Sequence, residues 1–223
     1  MYAFGDIHGR ADLLGRLHTS VRDDASRAPE PRRIAIYLGD YLDRGENSRG
    51  VLDMLPAGPG PGFETVHLCG NHEDFLLRFL EDSGLAEIWL QNGAAATLQS
   101  YGIDAHLPQT EIRSRLAAAL PESHVAFLKG LRRSASVGDY FFVHAGVRPG
   151  VALDRQDPRD LMWIRDEFLQ SDEDFGKTIV YGHTPRDTVA FEDTRIGIDT
   201  MAWASGRLTC LVLAGREQRL LQT

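Results

Sequence analysis

The chain predicts an α/β fold. Short apolar runs of strand length alternate with helical patterns, each run ends in a cluster of glycine and polar residues, and beyond Gly182 the pattern returns to strands alone. In open α/β sheets ligands bind beyond the carboxyl ends of strands, so clusters repeated there mark one crevice.

The first run is Tyr2–Phe4. A helical pattern from Ala11 to about Ala25 follows, with Leu13, Leu14, Leu17 and Val21 spaced for one apolar face, and it leads into a second run at Ile34–Leu38. Strand, helix, strand in that order implies a right-handed parallel crossover. A second such unit passes through Arg49–Leu55, turns at Pro56-Ala57-Gly58-Pro59-Gly60-Pro61-Gly62 and enters a third strand at Thr65–Cys69. From Asp74 to about Arg133 there is no strand signal, only helical segments around Phe75/Leu76/Phe79/Leu80, Ile88 to Tyr101 and Ile112/Leu116/Leu120. This reads as a helical insertion within a single domain spanning residues 1–223. Strands resume at Tyr140–Val143 and Thr178–Tyr181, then at Thr188–Phe191, Arg195–Ile198, Leu208–Leu213 and Arg219–Leu221.

At 223 residues the chain is long enough to bury a core without disulfides or structural zinc. Its 43% apolar and 25% charged fractions are ordinary for globular proteins. A net charge of −8 argues against nucleic-acid binding, which needs a basic footprint. Cys69 and Cys210 stand apart without metal-ligand spacing and read as buried thiols. No stretch approaches the ~18 apolar residues of a membrane helix, and the opening MYAFGDIHG has no basic region before an apolar run, so a cytoplasmic protein is expected.

The strand-end clusters are Gly5-Asp6-Ile7-His8-Gly9, Gly39-Asp40-Tyr41-Leu42-Asp43-Arg44-Gly45, Gly70-Asn71-His72-Glu73, His144-Ala145-Gly146 and Gly182-His183. Asp, His and Asn without Cys form an oxygen and imidazole donor set, which suits Mn²⁺, Fe²⁺ or Zn²⁺. Asp6 and His8, two apart at an extended strand end, share a face and can hold one ion together. His18, His67, His106 and His124 lie outside the clusters and read as structural or surface residues. Arg44 offers a guanidinium fork for two phosphate oxygens.

In the order GDIHG, GDYLDRG, GNHE, HAG and GH, from Gly5 to about Leu213, the chain resembles the phosphoprotein phosphatase branch of the calcineurin-like metallophosphoesterases, bacterial serine/threonine phosphatase type. The resemblance implies mixed β-sheets in a sandwich flanked by helices. It implies two divalent ions, Mn²⁺ favoured and Fe²⁺ or Zn²⁺ compatible, with Asp6, His8 and Asp40 on one, Asp40, Asn71, His144 and His183 on the other, and a hydroxide shared between them. Asp40 would then bridge, offsetting the repulsion of two dications. It also implies that His72, oriented by Asp43, protonates the leaving oxygen, a step that serine alkoxide requires. Trp163-Ile164-Arg165-Asp166 looks like a second phosphate clamp and nominates Arg165.

The expected substrate is therefore a phosphorylated protein or peptide. The main alternative is a symmetrical dinucleoside tetraphosphate hydrolase, a relative with the same blocks; Trp89-Leu90-Gln91-Asn92-Gly93 with Thr97-Leu98 favours the protein phosphatase. A non-catalytic scaffold would have lost ligands, His72 or Arg44, and none is lost. The first strand begins almost at Met1, which would fit a start lacking a few residues. Met201 stands where the family has glycine after Thr200. Asp199 reads as a turn cap, and Arg148, Arg186 and Glu73 are left outside the site.

Overall fold

The computed structural model describes residues 1–27 and 32–223. Its strands are β1 (Tyr2–Phe4), β2 (Arg33–Tyr37), β3 (Phe63–His67), β4 (Ser134–Val137), β5 (Tyr140–Val143), β6 (Thr178–Tyr181), β7 (Ala190–Phe191), β8 (Arg195–Gly197), β9 (Thr209–Ala214) and β10 (Glu217–Gln222). They form two five-stranded sheets, ordered β10-β9-β1-β2-β3 and β4-β5-β6-β8-β7. Within the first, β1, β2 and β3 run parallel, β9 lies antiparallel beside β1, and β10 lies antiparallel to β9. Within the second, β5, β6 and β8 run parallel between two antiparallel edges.

Period-2 alternation explains how the sheets stack. Ala3, Ile34, Ile36, Leu38 and Leu211 from the first sheet meet Phe142, Val180 and Ile196 from the second in one buried layer. The opposite faces carry Tyr2, Phe4, Ala35 and Tyr37 on one side and Phe141, Val143, Ile179 and Tyr181 on the other, each under helices. The result is the α/β sandwich with two mixed sheets and outer helices.

The helices are α1 (Ala11–Arg27), α2 (Ser48–Met54), α3 (Asn71–Glu81), α4 (Ala86–Gln91), α5 (Ala94–Ser100), α6 (Gln109–Ala119), α7 (Glu122–Lys129), α8 (Pro158–Trp163), α9 (Asp166–Leu169) and α10 (Ala202–Ser205). Helix α1 buries Leu13, Leu14, Leu17 and Val21 against the first sheet, and each such aliphatic side chain contributes about 1.5–3 kcal/mol. Between β3 and β4 the regular elements are all helical, and Phe75, Phe79, Trp89, Leu98, Ile112 and Leu116 join the same core as α1.

Strand β4 escapes the sequence pattern. Its Ser134-Ala135-Ser136-Val137 lacks a run of large apolar residues, and it becomes a strand because the turn at Gly138 folds it antiparallel onto β5. The short helices α8, α9 and α10 are likewise set by tertiary packing: Leu161, Ile164 and Phe168 are buried against the outer face of the second sheet, and Ala202 of α10 joins the core that contains α1. Among the described residues, no helix is long and apolar enough to cross a membrane.

Candidate metal centre

The parallel strands of both sheets aim their carboxyl ends at one place. There Asp6, His8, Asp40, Asn71, His144 and His183 are all buried. Backbone conformation aims them: His8, Asp40, Asp43, Arg44 and His183 hold φ between 43° and 69°, the left-handed region. Left-handed backbone costs a non-glycine residue about 1–2 kcal/mol, so the surrounding packing must hold these turns, as it does at many functional sites.

Asp40 is the hub. Its Oδ2 lies 3.4 Å from His8 Nε2 and 3.8 Å from His72 Nε2, while its Oδ1 lies 3.3 Å from His144 Nε2. Two trios of potential ligand atoms result, His8–Asp40–His72 and Asp40–His144–His183, each with all its atoms within 4.8 Å of one another. Asn71 Oδ1 and His183 Nδ1 stand 3.0 and 3.2 Å from His144 Nε2. Asp6 belongs to neither trio; its Oδ2 accepts the His183 backbone N–H at 2.9 Å.

The donor set fits divalent cations. Asp6 Oδ1 and His183 Nε2 are buried without a hydrogen-bond partner among the described residues, and such orphans in a polar cluster fit an ion site. Burial, with Asp199 and Asp40 nearby, holds the Asp6 carboxyl well above the usual carboxylate range. Burial alone would raise Asp40 too, but His144, His72, His8 and His183 outweigh it and hold Asp40 low. Burial pushes His8 down to about 3 and His183 down to about 2, and lowers His144. Burial thus favours the neutral form of these three imidazoles, the form that ligates. Their outer nitrogens are fixed where the backbone allows: His8 Nδ1 bonds the Leu42 carbonyl at 2.7 Å and His144 Nδ1 that of Leu38 at 3.0 Å. Such outer bonds set ring orientation and tautomer.

Two glycines let the carboxylates in. A Cβ on Gly70 would fall 2.1 Å from Asp40 Oδ1, and one on Gly182 would fall 2.0 Å from Asp6 Oδ1. Neither position admits a side chain while those carboxylates stay in place.

His72 is built differently from the other three. Burial opposes its charge, but Asp40 and the bonded Asp43 outweigh that and raise its pKa. Its Nδ1 contacts Asp43 Oδ2 at 2.6 Å, and Arg44 Nη2 reaches its Nε2 at 3.3 Å. One imidazole whose pKa is raised beside three whose pKa values are lowered is a division suited to acid and ligand roles.

Three residues given no role in the site by the sequence turn out to support it. Glu73 accepts the backbone N–H groups of Asp40 at 2.9 Å, Tyr41 at 2.8 Å and Gly70 at 2.9 Å, tying the Asp40 turn to the first turn of α3. Trp89 Nε1 donates to Asp43 Oδ2 at 2.8 Å, and Thr97 Oγ1 donates to Asp43 Oδ1 at 2.6 Å. The helices between β3 and β4 thus hold the carboxylate that holds His72. Only the buried depth of an indole carrying a polar N–H, which must find an acceptor, could have flagged Trp89.

This clamp is testable. Trp89→Phe removes one donor to a buried carboxylate, an effect of about 1.5–3 kcal/mol for a charged acceptor. Turnover of a phosphate ester with a basic leaving oxygen is expected to fall about tenfold with metal content unchanged, and turnover of p-nitrophenyl phosphate to change little. An equal decline on both would make Trp89 a core residue only.

The remaining nominated residues sit around the cluster. Arg165, exposed at the start of α9, donates to Thr184 Oγ1 at 3.3 Å, beside His183. Trp163 packs edge-on to His183, with ring centroids 6.3 Å apart. Asp199 Oδ1 accepts the Met201 N–H at 2.9 Å, the turn-capping role the sequence suggests. Burial also raises the Asp199 pKa to about 6, which places a further titratable carboxyl beside the site. Met201 adopts φ 54°, the conformation a glycine would take freely.

Residues 1–207 match the model of the family described as calcineurin-like phosphoesterase. Among curated proteins, the asymmetrical bis(5'-nucleosyl)-tetraphosphatase PrpE of Bacillus thuringiensis (strain Al Hakam) is 25% identical over 226 residues, covering 93% of this chain and 87% of that protein. Its counterpart in Bacillus mycoides (strain KBAB4) is 26% identical over 231 residues, with the same coverage. Among solved structures, one provisionally assigned as a diadenosine tetraphosphatase aligns with TM-score 0.64 and 20% identity over 99% of this chain and 92% of that one. The cold-active protein-tyrosine phosphatase of a psychrophilic Shewanella aligns with TM-score 0.60 and 16% identity, over 100% and 78%. At such identities the structural likenesses speak for the fold.

Proposed function

The chain belongs to the calcineurin-like phosphoesterase family, and from that premise we propose that it is a metal-dependent hydrolase of dinucleoside tetraphosphates. The observation that carries this reading is the extent of the likeness to the bis(5'-nucleosyl)-tetraphosphatases, which covers 93% of the chain and so includes the site and its walls. The protein phosphatase reading that the sequence favours yields here to its alternative.

In this reading Asp6, His8, Asp40, Asn71, His144 and His183 hold two divalent ions, with Mn²⁺, Fe²⁺ and Zn²⁺ all compatible with the donors. Bound there, the ions supply an activated water and neutralise phosphoryl oxygens. Arg44 and Arg165, on either side of the cluster, grip the transferred phosphoryl group by charge-assisted bonds. His72 gives its Nε2 proton to the leaving oxygen while Asp43 holds Nδ1.

One observation favours a second reading, a phosphoprotein phosphatase. The buried Asp43–His72 pair, braced by Trp89 and Thr97, is an acid suited to a basic alkoxide leaving group, whereas a phosphate leaving group departs with little help.

A substrate panel with Mn²⁺ separates the two. The dinucleoside tetraphosphate is expected to exceed phosphoserine and phosphotyrosine peptides by at least about tenfold in kcat/KM, the equivalent of 1.4 kcal/mol. Chromatography of the products then distinguishes mononucleotide plus triphosphate from two diphosphates. Preference for a peptide would reverse the assignment.

A further inference from the structure

Beside the metal cluster, on the His72 side, lies a cleft of about 520 Å³ lined by Gly9, Arg10, Asp12, Arg44, Glu46 and Trp203, among others. We propose that this cleft is the subsite for the nucleobase of the leaving nucleotide, with Trp203 as its stacking platform. The assignment rests on the dinucleotide reading above and deepens it.

Placement is the first argument. Gly9 follows the ligand candidate His8, and Arg44 follows Asp43, which holds His72, so the cleft borders the cluster on the side of His72. Arg44 spans the gap, since its Nη2 is 3.3 Å from His72 Nε2 while its guanidinium carbon lies over the Trp203 ring, 5.5 Å from the centroid. A leaving group on the His72 side of the cluster therefore lies across Arg44 from the indole.

Trp203 itself is the second argument. It is 42% exposed, although a large aromatic usually hides. The short helix that carries it is pinned at its backbone, where Arg10 Nη1 bonds the Ala202 carbonyl at 3.0 Å, Asp199 caps the Met201 turn at 2.9 Å, and Ser205 Oγ donates to the Thr200 carbonyl at 2.7 Å. A fixed aromatic surface loses little freedom when a ring stacks on it.

Charge gives the third. Asp12 and Glu46 line the cleft beside the two arginines, and Asp12 is already paired with Arg10 at 2.7 Å. A further phosphate would meet carboxylates there. A neutral base would meet a flat apolar face and acceptors for its exocyclic N–H groups. The volume lies within the ~300–1,000 Å³ range of small-molecule sites.

Trp203→Leu keeps apolar cover over Arg44 but offers no flat face. Base stacking on an aromatic side chain accounts for roughly tenfold or more in binding, so kcat/KM on diadenosine tetraphosphate is expected to fall at least about tenfold, mainly through KM. Hydrolysis of inorganic tripolyphosphate, which carries no base, is expected to stay within about twofold, and Trp203→Phe to restore most of the loss, since any aromatic face can stack. Equal losses on both substrates, an unaffected dinucleotide, or a Phe variant as slow as Leu would each overturn the subsite. Unmodified protein that prefers a phosphopeptide to the dinucleotide would instead overturn the substrate reading itself, and the base subsite with it.

Discussion

Asp40→Asn is expected to lower phosphoesterase turnover by at least about 10²-fold and to deplete bound metal together with it. Asp40 faces His8 and His72 through one oxygen and His144 through the other, and among the described residues it is the carboxylate common to both ligand trios. Removing one partner from a buried charged cluster costs about 3–5 kcal/mol, and at 1.36 kcal/mol per decade the lower end exceeds a hundredfold and the upper end a thousandfold. The amide also loses the negative charge that His72's backbone N–H meets at 3.2 Å, at the start of α3. Metal analysis and turnover must fall together; a mutant with wild-type metal content and near-normal rate would dismiss Asp40 as the bridge. Chelation of the wild type is expected to reproduce the loss, with recovery on adding Mn²⁺.

The second large effect depends on the leaving group. If His72 donates a proton, its importance grows with the basicity of the departing oxygen. His72→Asn is expected to slow phosphoserine hydrolysis roughly 10²-fold more than p-nitrophenyl phosphate hydrolysis, and to affect a dinucleoside tetraphosphate little more than the aryl ester. His72 Nε2 also lies in the trio with His8 and Asp40, so metal content must be measured alongside. Depletion of metal with equal losses on all substrates would make His72 a ligand instead of an acid. Single-turnover rates are needed so that chemistry, not product release, is compared.

The sequence was most informative where chemistry and topology coincide. Asp6, His8, Asp40, Asn71, His144 and His183 each follow a strand, so their convergence could be anticipated from local pattern alone, whereas the two mixed sheets were legible only through the family resemblance. Strand β4 and helix α10 carry no periodic signal, because their conformation is imposed by a hairpin partner and by a pinned turn. Trp89 and Thr97 lie 46 and 54 residues from Asp43, beyond any local pattern. Arg165 was visible only as part of a motif; its neighbour Thr184 belongs to another strand end. Trp203 looks like an ordinary aromatic until its exposure and its contact with Arg44 are seen.

The clamp on Asp43 divides the centre between parts of unequal firmness. The ligand residues hang from buried parallel strands, whereas Trp89 and Thr97 belong to α4 and α5, helices of six and seven residues that by themselves are too short to persist in water. Local opening is cheapest in such elements. Were α4 and α5 to open, Asp43 would lose its clamp and His72 its orientation while the strand-end residues stayed in place, and hydrolysis would be confined to esters whose leaving oxygen departs without a proton. Substrate range in this fold is then set partly by the thermal equilibrium of two short helices, and it should narrow towards activated esters with warming and be widest in the cold.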